Sequence, residues 1–179
     1  MYTYIVMLRG INVSGQKIIK MQELRSILAD ARLHNVQTYI QSGNIIFEGE
    51  KDSIYYESLI KEKIQDHYGF EVPTIVKRPT DFEYLLNNNP FLAGNDINRL
   101  AVTFLSNAPK HELIDQFKAI EFSTEESHIH KDIIFIHLPE GFATSKLTNN
   151  LMEQKLKVQA TTRNWKTVNK LYEMASATE

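Results

Sequence analysis

"VQTYIQSGNIIF", residues Val36–Phe47, is the stretch on which the reading of the fold turns. Ser42-Gly43 is turn chemistry, a small hydroxyl beside a glycine that tolerates positive φ, with strand-like residues on both sides. Folding about that pair puts Val36, Thr38, Ile40, Ile45 and Phe47 on one face. Gln37, Tyr39, Gln41, Asn44 and Ile46 fall on the other, because side chains alternate along a strand. Upstream lies "TYIVML" (Thr3–Leu8), a nearly continuous apolar run that predicts a central strand buried on both faces. A glycine-bearing loop follows, then Met21, Leu24, Leu28 and Ala31 at helical spacing. Downstream, a Ser53 cap, the stripe Tyr56, Leu59, Ile60, Ile64 and Tyr68, and a stop at Gly69 predict a second helix. "PTIVK" (Pro73–Lys77) is a short strand. The order β-α-β-β-α-β is the split βαβ, ferredoxin-like unit.

The same order returns in the second half. Thr80 with Glu83 reads as a capping box opening a connecting helix, which "NNNP" (Asn87–Pro90) stops. "RLAVTFLS" (Arg99–Ser106) is a strand, and Pro109 suits the first turn of a helix carrying Leu113, Phe117 and Ile120. "SHIH" and "IIFIHL" pair around Lys131-Asp132. Leu147, Leu151 and Leu156 form a helix, "KVQA" (Lys157–Ala160) a last strand, and a terminal helix opens at Arg163 with Thr161 or Thr162 as its cap. Trp165, Val168, Leu171 or Tyr172, and Ala175 are the apolar stripe of that helix. The expected fold is α+β, with duplicated ferredoxin-like subdomains built on antiparallel sheets, plus a connecting helix and a C-terminal helix. The expected halves are residues 1–90 and 91–179.

Composition narrows the function classes. At 42% hydrophobic and 23% charged residues the chain is globular. It has no cysteine, which removes disulfides, thiolate metal sites and cysteine nucleophiles. A net charge of -2 supplies no global field for nucleic acid. No apolar run approaches a membrane span, and the N-terminus lacks signal-peptide character, so a cytoplasmic location is expected.

Few stretches carry chemistry. "LRGINVSGQK" (Leu8–Lys17) follows a strand and has Gly10 and Gly15 at phosphate-loop spacing, but Gln16-Lys17-Ile18 replaces the Lys-Ser/Thr pair that would hold a phosphate and magnesium. Arg9, Asn12 and Ser14 are nevertheless more polar than a plain turn needs. Gln41 and Asn44, flanking the hairpin tip with Ser42, form an amide pair suited to clamping a polar group. His128, His130 and His137 share neighbouring strands without the spacing of a metal site, so no metal is expected. No serine-hydrolase elbow or close carboxylate pair is present. In "ATTRNW" the cation Arg163 stands where a helix start favours an anion, with Thr162, Asn164 and Thr167 around it, which reads as a receptor for phosphate or carboxylate. A buried protein carboxylate would serve the same arginine equally well.

"LRGINVSG", "TYIQSGNIIF", "SKLTNNL" and "TTRNWKTVNKL", in this order, resemble a widespread bacterial family classed as a domain of unknown function. The resemblance spans essentially the whole chain and implies two ferredoxin-like subdomains, a soluble protein and no known cofactor. It carries over the polar motif positions Arg9, Gly10, Asn12, Gly15, Gln41, Ser42, Gly43, Asn44, Lys146, Thr162, Arg163, Asn164, Trp165 and Thr167. Where the family commonly has two glycines, this chain has Ser14-Gly15.

The leading expectation is a protein, enzyme or not, that binds a small anionic molecule. Arg9 and Arg163 would bind the anion; Asn12, Gln41, Asn44 and Asn164 would orient it, and Lys146 is a weaker candidate. The glycine loop, hairpin tip and terminal helix start are expected to converge on one pocket. The alternatives are a module for RNA or single-stranded nucleic acid, disfavoured by charge and by the lack of the aromatic strand motif, and a protein-interaction scaffold.

Overall fold

The structure, a computed structural model, describes residues 1–177; 178 and 179, the end of the expected second half, lie outside the described residues. The elements run β1 (Tyr2–Leu8), α1 (Met21–Asp30), β2 (His34–Tyr39), β3 (Asn44–Gly49), α2 (Ser53–Tyr68), β4 (Thr74–Lys77) and α3 (Pro79–Asn88). After a single 3-10 turn at Ile97–Arg99 come β5 (Leu100–Leu105), α4 (His111–Lys118), β6 (Glu126–His130), β7 (Ile133–His137), α5 (Asn149–Leu156), β8 (Ala160–Asn164) and α6 (Trp165–Ser176). They build two four-stranded antiparallel sheets, ordered β2-β3-β1-β4 and β6-β7-β5-β8. This is the duplicated ferredoxin-like arrangement expected from the sequence.

By internal packing the chain divides into Met1–Leu85 together with the segment from Lys170, and Leu86–Asn169. The sequence pattern instead places the break after Pro90 and keeps the whole terminal helix with the second half. The earlier division has a local cause: Pro79, Phe82 and Leu85 are the buried residues of α3, and its last turn offers none.

In the first unit one sheet face carries Tyr4, Val6, Leu8, Ile45, Phe47 and Val76, packed with Leu24 and Leu28 of α1 and Tyr56, Ile60 and Ile64 of α2. Tyr4 stacks on Phe47 with ring centroids 5.2 Å apart, and Tyr56 meets Phe47 edge-on at 4.7 Å. A Cβ at position 49 would fall 2.0 Å from the Tyr56 hydroxyl, so the strand must end in glycine there. Ile5, Met7, Ile46 and Ile75 on the opposite face are buried as well. In the second unit Ala101, Leu105, Ile134, Ile136 and Ala160 line the face that packs with Phe117 of α4 and Met152 and Leu156 of α5.

The hairpin keeps the expected faces but not the expected turn. Tyr39 pairs with Asn44 and Thr38 with Ile45, so residues 40–43 form the loop. The register differs by an even number of residues from a Ser42-Gly43 two-residue turn, and an even shift leaves the paired residues on their faces, while Ile40 and Gln41, expected on the strand faces, lie in the loop instead. Three helix starts also differ. Asp52, rather than Ser53, caps α2 through Tyr55 N at 2.8 Å. Asp81 Oδ2 accepts from Arg78 N at 2.9 Å and Pro79 takes the first position of α3, in place of the Thr80–Glu83 box. Helix α4 starts at His111, after Pro109.

The largest difference is at "ATTRN". Ala160–Asn164 is strand β8, paired along β5 with Val102 opposite Arg163, and the helix starts only at Trp165. Arg163 is therefore a strand residue and not a cation at a helix start. The β-branched pair Thr161-Thr162 is as good a strand former as a cap, and the open edge of β5 recruits it.

Candidate functional site

The glycine loop joins β1 to α1 through five left-handed residues: Gly10 at φ 71°, Asn12 at 54°, Ser14 at 51°, Gly15 at 73° and Lys17 at 46°. Ser14 and Gly15 are the centre of a tight turn in which Gln16 N donates to Val13 O at 2.9 Å. Neither glycine is crowded, since a Cβ at position 10 or 15 would meet nothing within 4 Å. Lys17, the residue a phosphate loop would aim at its nucleotide, donates to Glu71 O at 2.6 Å and lies over the Phe70 ring. It ties the loop to the segment entering β4.

Asn12 is the loop's main internal tie. Its Nδ2 donates to Ile19 O at 3.0 Å and to Gln41 O at 2.8 Å, while its Oδ1 accepts from Ile19 N at 2.9 Å. The hairpin tip is thereby joined to the glycine loop, and Leu8 N donates to Gly43 O at 2.8 Å from the strand end. Gly43 has φ 83°, and a Cβ there would lie 2.7 Å from both Leu8 Cβ and Ile11 Cδ1. Asn44 is fully buried, with Nδ2 donating to Tyr39 O and Ser42 Oγ at 3.0 Å each. Arg9 is partly exposed and Gln41 exposed on this loop cluster.

The remaining candidates lie in the second unit. Alternation along β8 splits them. Thr162 faces the helices: Thr103 Oγ1 and Thr162 Oγ1 are 2.7 Å apart, and Thr162 Oγ1 donates to Asn149 Oδ1 at the start of α5, also at 2.7 Å. Arg163 takes the opposite face with Thr161. Its Nη1 donates to Thr161 Oγ1 at 2.9 Å and to Thr162 O at 3.0 Å. The residue is only 8% exposed. Burial pulls the guanidinium down to about 10, which leaves it charged at neutral pH. Asn164 Oδ1 accepts from Thr167 N at 2.8 Å and so caps α6, while Trp165 is a buried packing residue, as its place in the stripe implies.

Lys146 belongs to the loop before α5, which Glu125 anchors: one carboxylate takes Lys146 N at 2.9 Å and Leu147 N at 3.1 Å. His137 Nδ1 meets Glu126 Oε1 at 2.8 Å across the β6–β7 pair. Among the described residues no cluster of three or more His, Cys, Asp or Glu could hold a metal ion. No described helix is long and apolar enough to cross a membrane.

Two residues escape the sequence reading. Glu125 offers no periodic signal, because its role is set by a loop remote in sequence. Arg78 stacks over the rings of Tyr2, at 4.1 Å, and Tyr4, at 4.8 Å; its position directly before a first-turn proline was the one available cue.

No curated protein sequence gives a significant match. Among solved structures, the conserved bacterial protein SP0830 from Streptococcus pneumoniae superposes with a TM-score of 0.73 at 26% identity, over 97% of this chain and 98% of that one. The family of proteins of unknown function DUF1697 matches residues 1–135. The chain belongs to the DUF1697 family.

Proposed function

We propose that the protein binds a small anionic ligand bearing a phosphate or carboxylate, and that Arg163 is the group that receives it. The observation that carries this reading is the setting of the guanidinium. It is almost wholly buried, and one nitrogen is pinned by Thr161 and Thr162, so its planar fork is oriented in advance. Burial lowers the guanidinium's pKa to about 10, so keeping it charged in this setting carries a desolvation cost. An anion is the partner that best offsets the cost of desolvating such a charge.

Thr162 and Asn164 serve the reading indirectly, by holding strand and helix start around Arg163, and Thr167 and Lys146 remain secondary candidates in the same unit. Arg9, Gln41 and Ser42 are separate candidates of the first unit, carried on a loop cluster that Asn12 and Asn44 hold in place. The nucleic-acid alternative is weakened by burial of Phe104, Phe135, Met7 and Ile46, which lie on the sheet faces not covered by each unit's own helices, because stacked bases need exposed rings.

The test is a melting screen with phosphorylated and carboxylated metabolites. A ligand that binds only the folded protein raises its melting temperature progressively with concentration. Dose-dependent stabilisation by one anion class, lost in Arg163→Met, is expected. A panel without effect, or equal effects on both proteins, would refute the assignment.

A further inference from the structure

A groove of about 690 Å³ opens in the second unit, beside the edge strand β6 and on the sheet face that the helices cover. Its volume suits a small molecule. Register and hydrogen bonds bring its walls to that one side. Ser127 pairs with Ile136, a residue of the helix-packed core, and directly paired residues share a face. Glu125, two residues earlier, reaches the loop before α5, where its carboxylate takes the main-chain N–H groups of Lys146 and Leu147. Phe122 lies against Phe117 of α4, with ring centroids 6.3 Å apart, and Lys118 ends the same helix. Among the described residues the side chains of Lys118 and Lys146 have no hydrogen-bond or ion-pair partner, and neither do those of Glu121, Ser123 and Ser127 in the same groove.

Each unpartnered group sets a requirement. Lys118 and Lys146 come from separate segments, and two cations on one groove call for a doubly charged anion with several acceptor oxygens, which a phosphate monoester supplies. The charge of Glu125 is already met by two main-chain donors, so Glu121 is the carboxylate left to face a ligand. It would repel a second anionic group and accept from hydroxyls, and the Ser123 and Ser127 hydroxyls can donate or accept beside it. Phe122, partly buried, adds a flat apolar wall. We propose that this groove binds a phosphorylated sugar, its phosphate on Lys118 and Lys146 and its hydroxyls on Glu121, Ser123 and Ser127. Arg163 takes the opposite face of the sheet, so this site is independent of the reading above.

The experiment is amide-resolved NMR titration of the full chain with D-glucose 6-phosphate, D-glucose and inorganic phosphate. The sugar phosphate should shift the amides of Lys118, Ser123, Ser127 and Lys146 saturably, and each of the other two should bind at least ~10-fold more weakly, since each lacks one set of contacts. Lys118→Met and Lys146→Met keep the main chain and remove one ammonium group, and each should weaken the sugar phosphate by a similar factor. Glu121→Ala removes the hydroxyl acceptor and should narrow the preference for the sugar phosphate over inorganic phosphate. Unchanged amide spectra away from the groove confirm that the variants fold. Equal binding of the sugar phosphate and inorganic phosphate, unaltered binding by either lysine variant, shifts confined to residues 161–164, or no shifts up to about 10 mM would overturn the proposal.

Discussion

Asn12 Nδ2 and the main-chain oxygen of Gln41 lie 2.8 Å apart, so one side chain joins the glycine loop to the hairpin tip. Two motifs separated by a helix and a strand are therefore one structural unit, and the amide that joins them also closes its own loop on both sides of Ile19.

Asn12→Ala removes three hydrogen bonds and places a Cβ residue without local hydrogen bonding at φ 54°. Denaturant unfolding should show a loss of about 2–4 kcal/mol. Asn12→Asp should cost a comparable amount, since a carboxylate would then face two carbonyl oxygens. A loss below about 0.5 kcal/mol would mean that the loop does not depend on this tie.

Glycines 15 and 43 should differ in their tolerance of alanine. Both have positive φ, but only position 43 is crowded, against Leu8 and Ile11. Gly15→Ala should cost about 1–2 kcal/mol from backbone conformation alone. Gly43→Ala should cost about 2–5 kcal/mol, because overpacking is added. Comparable melting temperatures for the two variants would contradict this.

Thr162→Val should destabilise the second unit by about 1–3 kcal/mol, since it strands the Thr103 hydroxyl, which is fully buried, and leaves Asn149 without its donor. A double variant with Thr103→Val should recover part of that loss. Additive losses would show that the two hydroxyls are not coupled.

Glu23 joins α1 to α2 by accepting from His67 Nε2 at 3.3 Å and Tyr68 Oη at 3.1 Å. These hydrogen bonds, His67 first, hold its carboxyl below the usual carboxylate range. A folded-state pKa below the unfolded value contributes stability that is complete above the ordinary carboxylate pKa and is lost as pH falls through the lowered one. Glu23→Gln should flatten the acid limb of the stability curve in that window. An acid limb identical to that of the wild type would show no linkage at this residue.

The fold was legible because its signals are periodic and redundant. The apolar run of β1, the stripes of α1 and α2 and the two hairpins each follow from local pattern, and the hairpin faces survive an error in turn length because only odd shifts exchange faces. What failed was decided by tertiary partners. Thr161-Thr162 fits a cap and a strand equally well, and β5 settles the choice by pairing with it. Arg163 could be singled out from sequence as an unusual cation, but its burial could not, since that depends on which face of β8 it occupies. Arg78 and Glu125 act on residues remote from them or through stacking, neither of which leaves a spacing to read.

The proposed function stands on Arg163 receiving a ligand anion. It is tested most directly by urea unfolding of the wild type and Arg163→Met, each with and without the anion that most stabilises the wild type. Only the wild type should gain stability on adding the anion. A loss of about 3–5 kcal/mol in the unliganded variant would instead mark a buried pair with a protein carboxylate, and would contradict the claim.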